Sequence, residues 1–208
     1  MIIGFDHIAL TTTDLFASRD TLLAKGYKCL FLEHALPNDA QKAKLLSHYR
    51  EVHDIAYFSP VAGTGIVIEV IDHGSEEVGT CGPFSLEDDL LLLRTDNVNN
   101  EKDFWNKVLR FEPGCNETMK LTSPVPGWSV RIKFIKGTNI QNCMLDSPGF
   151  TCAAFYTNNI CVDIDKVKIS GGWDIVDPFD FTVNGKFLKI AMFRTPGGAL
   201  CEFIQPEI

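Results

Sequence analysis

Two carboxylates draw attention because of their neighbours. Glu69 lies between Ile68 and Val70, and Glu202 lies between Cys201 and Phe203. A carboxylate inside an apolar strand is costly unless it is paired, protonated or bound to a cation. Side chains alternate along a strand, so an open, wetted sheet face is the other reading. Histidines are unevenly placed: His7, His34, His48, His53 and His73 all fall within the first 73 residues. Imidazole is the commonest neutral side-chain ligand for divalent transition metals. Alternation puts His7 on one face with the small Ala9 and Thr11, which leaves room for a ligand. His73 follows Glu69 by four residues and shares its face, making it a further ligand candidate. His34 and His48 read as solvated. Arg131 and Lys133 also share a strand face and, if that face is concave, could bind a substrate carboxylate or phosphate. Nucleophile-elbow, phosphate-loop and dinucleotide motifs are missing, and Pro196-Gly197-Gly198 reads as a turn.

The elements that position these residues recur three times. His7 to Leu15, Leu90 to Val98 and Cys152 to Ile160 are each an apolar run closed by Asp or Asn and an aliphatic residue. Asp or Asn there suits a helix N-cap. Helices are expected over Leu15 to Lys25, Asn99 to Leu109 and Val162 to Ile169. Strands should follow at Tyr27 to Leu32, Phe111 to Gly114 and Trp173 to Val176. Penultimate strands are expected at His53 to Phe58, Trp128 to Ile135 and Phe187 to Phe193. Each last strand carries Gly four residues before an acid or its amide: Gly65 and Glu69, Gly137 and Gln141, Gly198 and Glu202. The expected organisation is a βαβββ unit over 1–73, a linker over 74–88, and two further units over 89–146 and 150–208. An insertion near 37–50 reads as an extra surface helix.

Composition narrows the partners. The chain has 208 residues, 45% of them hydrophobic and 22% charged, with a net charge of −8. No basic footprint for nucleic acid is present, and no apolar run approaches a membrane span. Seven Cys, an odd number, with no Cys-x-x-Cys pair, suggest free thiols in a reducing compartment. With no signal-like N-terminal segment, the expected location is cytoplasmic.

Asp6-His7-Ile8-Ala9-Leu10, the Phe193 to Gly198 turn and Leu200-Cys201-Glu202-Phe203-Ile204 resemble signatures of the vicinal oxygen chelate superfamily, which holds glyoxalases, bleomycin-resistance proteins and extradiol dioxygenases. Phe104-Trp105 to Leu109-Arg110-Phe111 is similar to that family's helix-to-strand step, with Arg110 where Gly is usual. The resemblance implies an α+β fold of three βαβββ repeat units forming curved mixed sheets of glyoxalase-like type. It implies a divalent metal ion (Zn, Mn, Ni, Co or Fe) held by first and last strands. The matching first-strand positions are His7, Leu90 and Cys152, and the last-strand positions are Glu69, Gln141 and Glu202. Leu90 cannot bind a metal and Cys152 departs from the usual His, so the implied metal ligands are His7, Glu69 and Glu202. Glu69 or Glu202 would move a proton.

Three units leave one without a partner. The short Ser147-Pro148-Gly149 junction suggests that the second and third units pair, and that the first meets its copy in a homodimer. Alternatively, the first and second pair and the third pairs across the dimer. The expected function is a metal-dependent isomerase, epimerase or lyase acting on a small-molecule substrate. A metal-free binding or sequestering protein is the alternative, for which Leu90, Phe155, Tyr156, Trp128 and Trp173 suit an aromatic or cationic small molecule. An interaction domain is a third reading.

Overall fold

The structure, a computed structural model, describes residues 1–74, 82–137 and 143–206. Its first unit runs β1 (Ile2–Thr11), α1 (Leu15–Ala24), β2 (Tyr27–Pro37), β3 (Val52–Pro60) and β4 (Ile68–Asp72). A short strand, β5 (Phe84–Glu87), follows within the stretch expected as a linker. The second unit is β6 (Leu90–Thr95), α2 (Val98–Lys107), β7 (Glu112–Pro113), β8 (Thr118–Leu121) and β9 (Val130–Lys136). The third is β10 (Gly149–Thr157), α3 (Ile160–Ile169), β11 (Trp173–Val183), β12 (Lys186–Arg194) and β13 (Leu200–Pro206).

The helix starts follow the N-cap chemistry. Asp14 accepts from the Ala17 amide at 2.9 Å, Asn97 from Asn100 at 3.1 Å and Asn159 from Val162 at 3.1 Å. Each bond satisfies one orphan N–H of a first turn. After α2 the chain turns through Arg110 at φ 64°, a left-handed conformation that favours Gly. The Arg110 guanidinium bonds the Ile2 carbonyl at 3.0 Å, tying that turn to β1.

All thirteen strands join one curved, unclosed sheet system. Its spine is the antiparallel pair β1·β10, with β4 parallel to β1 and β13 parallel to β10. The first and third units therefore meet edge to edge, giving the path β2-β3-β4-β1-β10-β13-β12-β11. This corrects the expectation that the second and third units pair and leave the first alone. The physical reason lies in β10, where 151–155 are buried throughout: a strand so apolar needs a neighbour on both edges. The second unit attaches to β10 through β5, at Phe84 opposite Phe150.

The second unit also holds a register correction. Trp128 to Ile135 was expected as a penultimate strand, but β9 lies parallel to β6 and so occupies the last-strand place. The penultimate strand is β8, four residues (Thr118–Leu121) too short to show a pattern. Gln141 lies outside the described residues.

The main core runs under the three helices and includes Trp105, Phe111, Phe155 and Phe203, all fully buried. Glu101 of α2, also fully buried, accepts from Trp105 Nε1 at 2.9 Å, from the Thr195 hydroxyl at 2.7 Å and from the Gly197 amide. A Cβ at Gly197 would sit 2.3 Å from that carboxylate, so the Pro196-Gly197-Gly198 turn needs its Gly for this close approach. Among the described residues no helix is long and apolar enough to cross a membrane.

The insertion is helical for six residues only, in a 3-10 helix whose inner side is buried. Residues Ala40–Leu45 make a 3-10 turn that folds onto the sheet, burying Lys42, Leu45 and Leu46. Leu45 and Leu46 complete a second core with Leu145, Cys152, Val176, Phe179 and Ile190. Asp146 fastens the segment by accepting from the Ser47 and His48 amides, each at 2.8 Å.

Candidate active site

The two parallel strand pairs are copies in register. Ala9 stands opposite Glu69, and Ala154 stands opposite Glu202. Two residues before those alanines come His7 and Cys152, on the same face by alternation. In the second unit Leu92 stands opposite Lys133, with Leu90 two residues earlier. The middle unit thus carries Leu and Lys where the outer units carry His or Cys and Glu.

His7, Glu69, Cys152 and Glu202 all line one cavity of about 100 Å³, walled by the outer units and the inserted segment. His7 is 2% exposed. Its Nδ1 lies 2.9 Å from Asp6 Oδ2, and its Nε2 lies 3.1 Å from Glu69 Oε2. The second contact is an ion-pair distance without hydrogen-bond alignment, so Nε2 is a buried atom with no hydrogen-bond partner. Asp6 accepts a hydrogen bond from Nδ1–H, which fixes the ring orientation and turns Nε2 into the cavity. Tyr57 donates to the other Asp6 oxygen at 2.7 Å.

The electrostatics are those of a dry, acidic pocket. Burial alone would depress the His7 pKa, but the Glu69 and Asp6 carboxylates outweigh it and hold it well above the ordinary value. Burial, with the Glu69 and Asp6 charges, pushes Glu202 up to about 7, although His7 and Lys42 pull the other way. Burial also raises the Cys152 thiol, helped by Glu202, so it stays neutral. Tyr57 and Tyr156 are raised by burial and by Asp6 and remain protonated donors.

Other candidates lie elsewhere. Arg131 pairs with Asp89 at 2.6 Å on the exposed middle unit, and neither it nor Lys133 lines this cavity. They sit on β9, which belongs to the separate ladder of the second unit. His73 and His53 do line the cavity, whereas His34 is exposed against Asp54 at 2.6 Å. Of the aromatic residues, Tyr156 lines the cavity, Trp128 stacks on it at 4.3 Å, Phe155 is core and Trp173 packs beside Arg194. Sequence reasoning gave no role to Asp6, Tyr57 or Lys42. Asp6 adjoins His7 and Tyr57 alternates with His53, but only the pairing of Tyr57 with Glu69 brings them together.

The donors suit a divalent metal in kind: one imidazole nitrogen left open and two carboxylates. Their arrangement is partial. Among the described residues no three or more His, Cys, Asp or Glu side chains are grouped so as to hold an ion already.

No protein-family model matches the chain, and no curated protein does. Among solved structures, methylmalonyl-CoA epimerase from Mycobacterium tuberculosis aligns with a TM-score of 0.50 and 15% identity, over 100% of this chain and 90% of that one. The hypothetical protein BH1468 from Bacillus halodurans C-125 gives 0.47 and 14%, over 98% and 94%. Glyoxalase I from Zea mays gives 0.41 and 17%, over 97% and 67%. At such identity the epimerase likeness speaks for the fold alone, and the other two superpose too loosely to add to it. The fold is the one that epimerase has, a glyoxalase-like α+β fold with a curved, unclosed sheet.

Proposed function

We propose that the chain is a glyoxalase-like small-molecule enzyme of isomerase, epimerase or lyase type, using a divalent metal at His7, Glu69 and Glu202. The observation that carries this reading is the open, buried Nε2 of His7, oriented by Asp6 and 3.1 Å from Glu69. A bound metal would polarise neighbouring substrate oxygens and so acidify an adjacent C–H bond. The chain supplies the rest. Glu202 is one proton-transfer candidate; burial pushes its carboxyl up to about 7 when no ion is bound. Glu69 is the second proton-transfer candidate. Tyr57 and Tyr156, both held protonated and hydrogen-bonded to Asp6, fix the carboxylate that orients His7.

One observation favours the metal-free binding reading: no three-donor group is preformed among the described residues, and His7 and Glu69 already offset each other's charge. Metal analysis of untagged protein purified without chelator separates the two. One equivalent of Zn, Mn, Ni, Co or Fe that is lost in His7→Ala supports the enzyme. Metal-free protein that still binds small apolar molecules supports sequestration. The cavity is built within one chain, so a homodimer would not be needed to complete it. Free thiols at Cys29, Cys115, Cys152, Cys161 and Cys201 fit a reducing, cytoplasmic setting.

A further inference from the structure

The cavity has a second pole, away from His7. Along β3 and β4 the rungs facing the cavity are Tyr57 opposite Glu69, then Ile55 opposite Ile71. The next residues on that face are His53 and His73, with ring centroids 5.5 Å apart. At about 3.3 Å per residue, His73 stands roughly 13 Å along the strand from Glu69. His53 is 3% exposed and His73 is 4% exposed. Among the described residues, His53 Nδ1 and both ring nitrogens of His73 are buried with no hydrogen-bond partner.

Above them sits Lys42, 8% exposed, delivered by the inserted segment. Its ammonium lies 5.3 Å from the Phe181 ring and 5.5 Å from the Phe179 ring, and it pairs with no carboxylate among the described residues. Asp146 is the acid nearest His73 in effect, but its oxygens already accept the Ser47 and His48 amides. Lys186 adds a second cation at the exposed rim. Burial and Lys42 keep both imidazoles neutral, with pKa values of about 2 for His53 and about 4 for His73. A neutral imidazole still carries an N–H that seeks an acceptor. Lys42 acts on the Glu202 carboxylate at a distance, but among the described residues no negatively charged acceptor pairs with it at this end. A metal ion does not meet that need, because a buried ammonium would repel it.

We propose that Lys42, His53 and His73 form a carboxylate-binding subsite, and that the substrate is a small monocarboxylic acid with an apolar body. Its carboxylate accepts from Lys42 and His73, its body packs against Ile55, Ile71 and Ile190, and its other end reaches His7. A single negative charge matches one buried cation and two neutral rings better than a phosphate does. This deepens the proposed function and rests on it only in taking the His7 end as the reacting end.

The test uses the full chain in EDTA, so that the metal reading plays no part. Binding of benzoate, hexanoate, the neutral isostere benzamide and inorganic phosphate is measured by calorimetry. Benzoate or hexanoate should bind at least tenfold more tightly than benzamide and than phosphate. Lys42→Met should weaken carboxylate binding at least tenfold, Lys42→Arg should retain it, and Lys133→Ala, outside the cavity, should change it less than threefold. Should Lys42→Met fail to fold, His73→Phe carries the same expected loss. Equal binding of benzoate and benzamide, no binding of either acid, or tighter binding of phosphate overturns the subsite. So does unchanged affinity in both Lys42→Met and His73→Phe. In a separate titration without EDTA, Zn²⁺ uptake that survives His7→Ala and vanishes in His73→Phe would overturn it in favour of a metal. Unmodified protein that takes up no divalent metal in that titration defeats the function reading and leaves this one standing.

Discussion

The outer units and the middle unit share a register and differ in what they do with it. In each, a first strand lies parallel to a last strand, and one rung sets the key positions: Ala9 with Glu69, Ala154 with Glu202, Leu92 with Lys133. The outer rungs open onto a common cavity because β1 and β10 pair and curve together. The middle rung has no such partner, and its unit contributes core instead, through Trp105, Phe111 and Phe134. The lesson is that the strand repeat supplies a place for chemistry, while the pairing of two repeats supplies the recess that makes a carboxylate worth placing there.

If the middle unit is a structural buttress, the largest effects there should be on stability. Trp105 is fully buried, touches Phe155 of the spine at 5.8 Å between centroids, and donates to Glu101. Trp105→Ala should cost about 3–5 kcal/mol of unfolding free energy, from the lost burial and the cavity left behind. Denaturant titration reads this. Lys133→Ala in the same unit should cost under about 0.5 kcal/mol, as surface changes usually do. A large metal or ligand defect in Lys133→Ala would break the comparison.

The next effect separates the two poles of the cavity by pH. His53 and His73 have folded pKa values of about 2 and about 4, below the ordinary 6.5, with burial first and Lys42 second among the causes. Unfolding therefore takes up protons on both as pH falls below about 6.5, and stability declines with acid. Each group contributes at most about 1.4 kcal/mol per pH unit in that window. His7 works in the opposite sense: its raised pKa stabilises the fold below about 6.5, and that contribution is lost as pH rises through the folded value. The double variant His53→Phe with His73→Phe should flatten the fall in melting temperature between pH 6.5 and 4.5. An unchanged slope would place the acid sensitivity elsewhere.

For the reacting pole, His7→Ala should weaken divalent-metal binding by about 100-fold, on the order of 2.7 kcal/mol. It should also leave Asp6 and Glu69 without their shared cation, a penalty of the kind seen when one member of a buried pair is removed. Calorimetric titration with Mn²⁺ or Zn²⁺ checks the first effect, and a lower melting temperature checks the second. Retained stoichiometric binding would sink the first-unit assignment.

Much of this was legible in the sequence. The N-caps Asp14, Asn97 and Asn159 gave three helix starts to within about two residues, because side-chain capping is local chemistry. The faces of His7 and Glu69 followed from alternation alone. What stayed hidden was non-local. Nothing in Phe150 to Thr157 says that its edge partner is β1, and four residues of β8 were too few to reveal that β9 is a last strand. Lys42 looked like a solvated helix residue, since Ala, Lys, Gln and Leu around it fit a surface pattern. Its burial depends on Asp146 and Leu145, about a hundred residues away, which hold the segment down. His53 on β3 and His73 just past β4 were visible as histidines, but their facing positions needed the register.

The smallest effect is the sharpest probe of the comparison, because it makes one half of the cavity imitate the other. Cys152 stands to Glu202 as His7 stands to Glu69, two residues before the alanine opposite the acid. It is buried, its thiol stays protonated, and it lines the cavity. Cys152→His would add a second imidazole on the same face. The cavity of about 100 Å³ offers the added ring room, so the overpacking cost should stay near the lower end of about 1–3 kcal/mol. If His7 and Glu69 are one half of a metal site, the second imidazole should tighten divalent-metal binding about tenfold, roughly 1.4 kcal/mol. The gain should vanish in the double variant with His7→Ala, since one imidazole would again serve two carboxylates. Tighter binding that persists without His7 would mean that the third unit alone makes a site. No gain in a stably folded Cys152→His would mean that the two halves do not share an ion, and that the likeness in register goes no further than the fold.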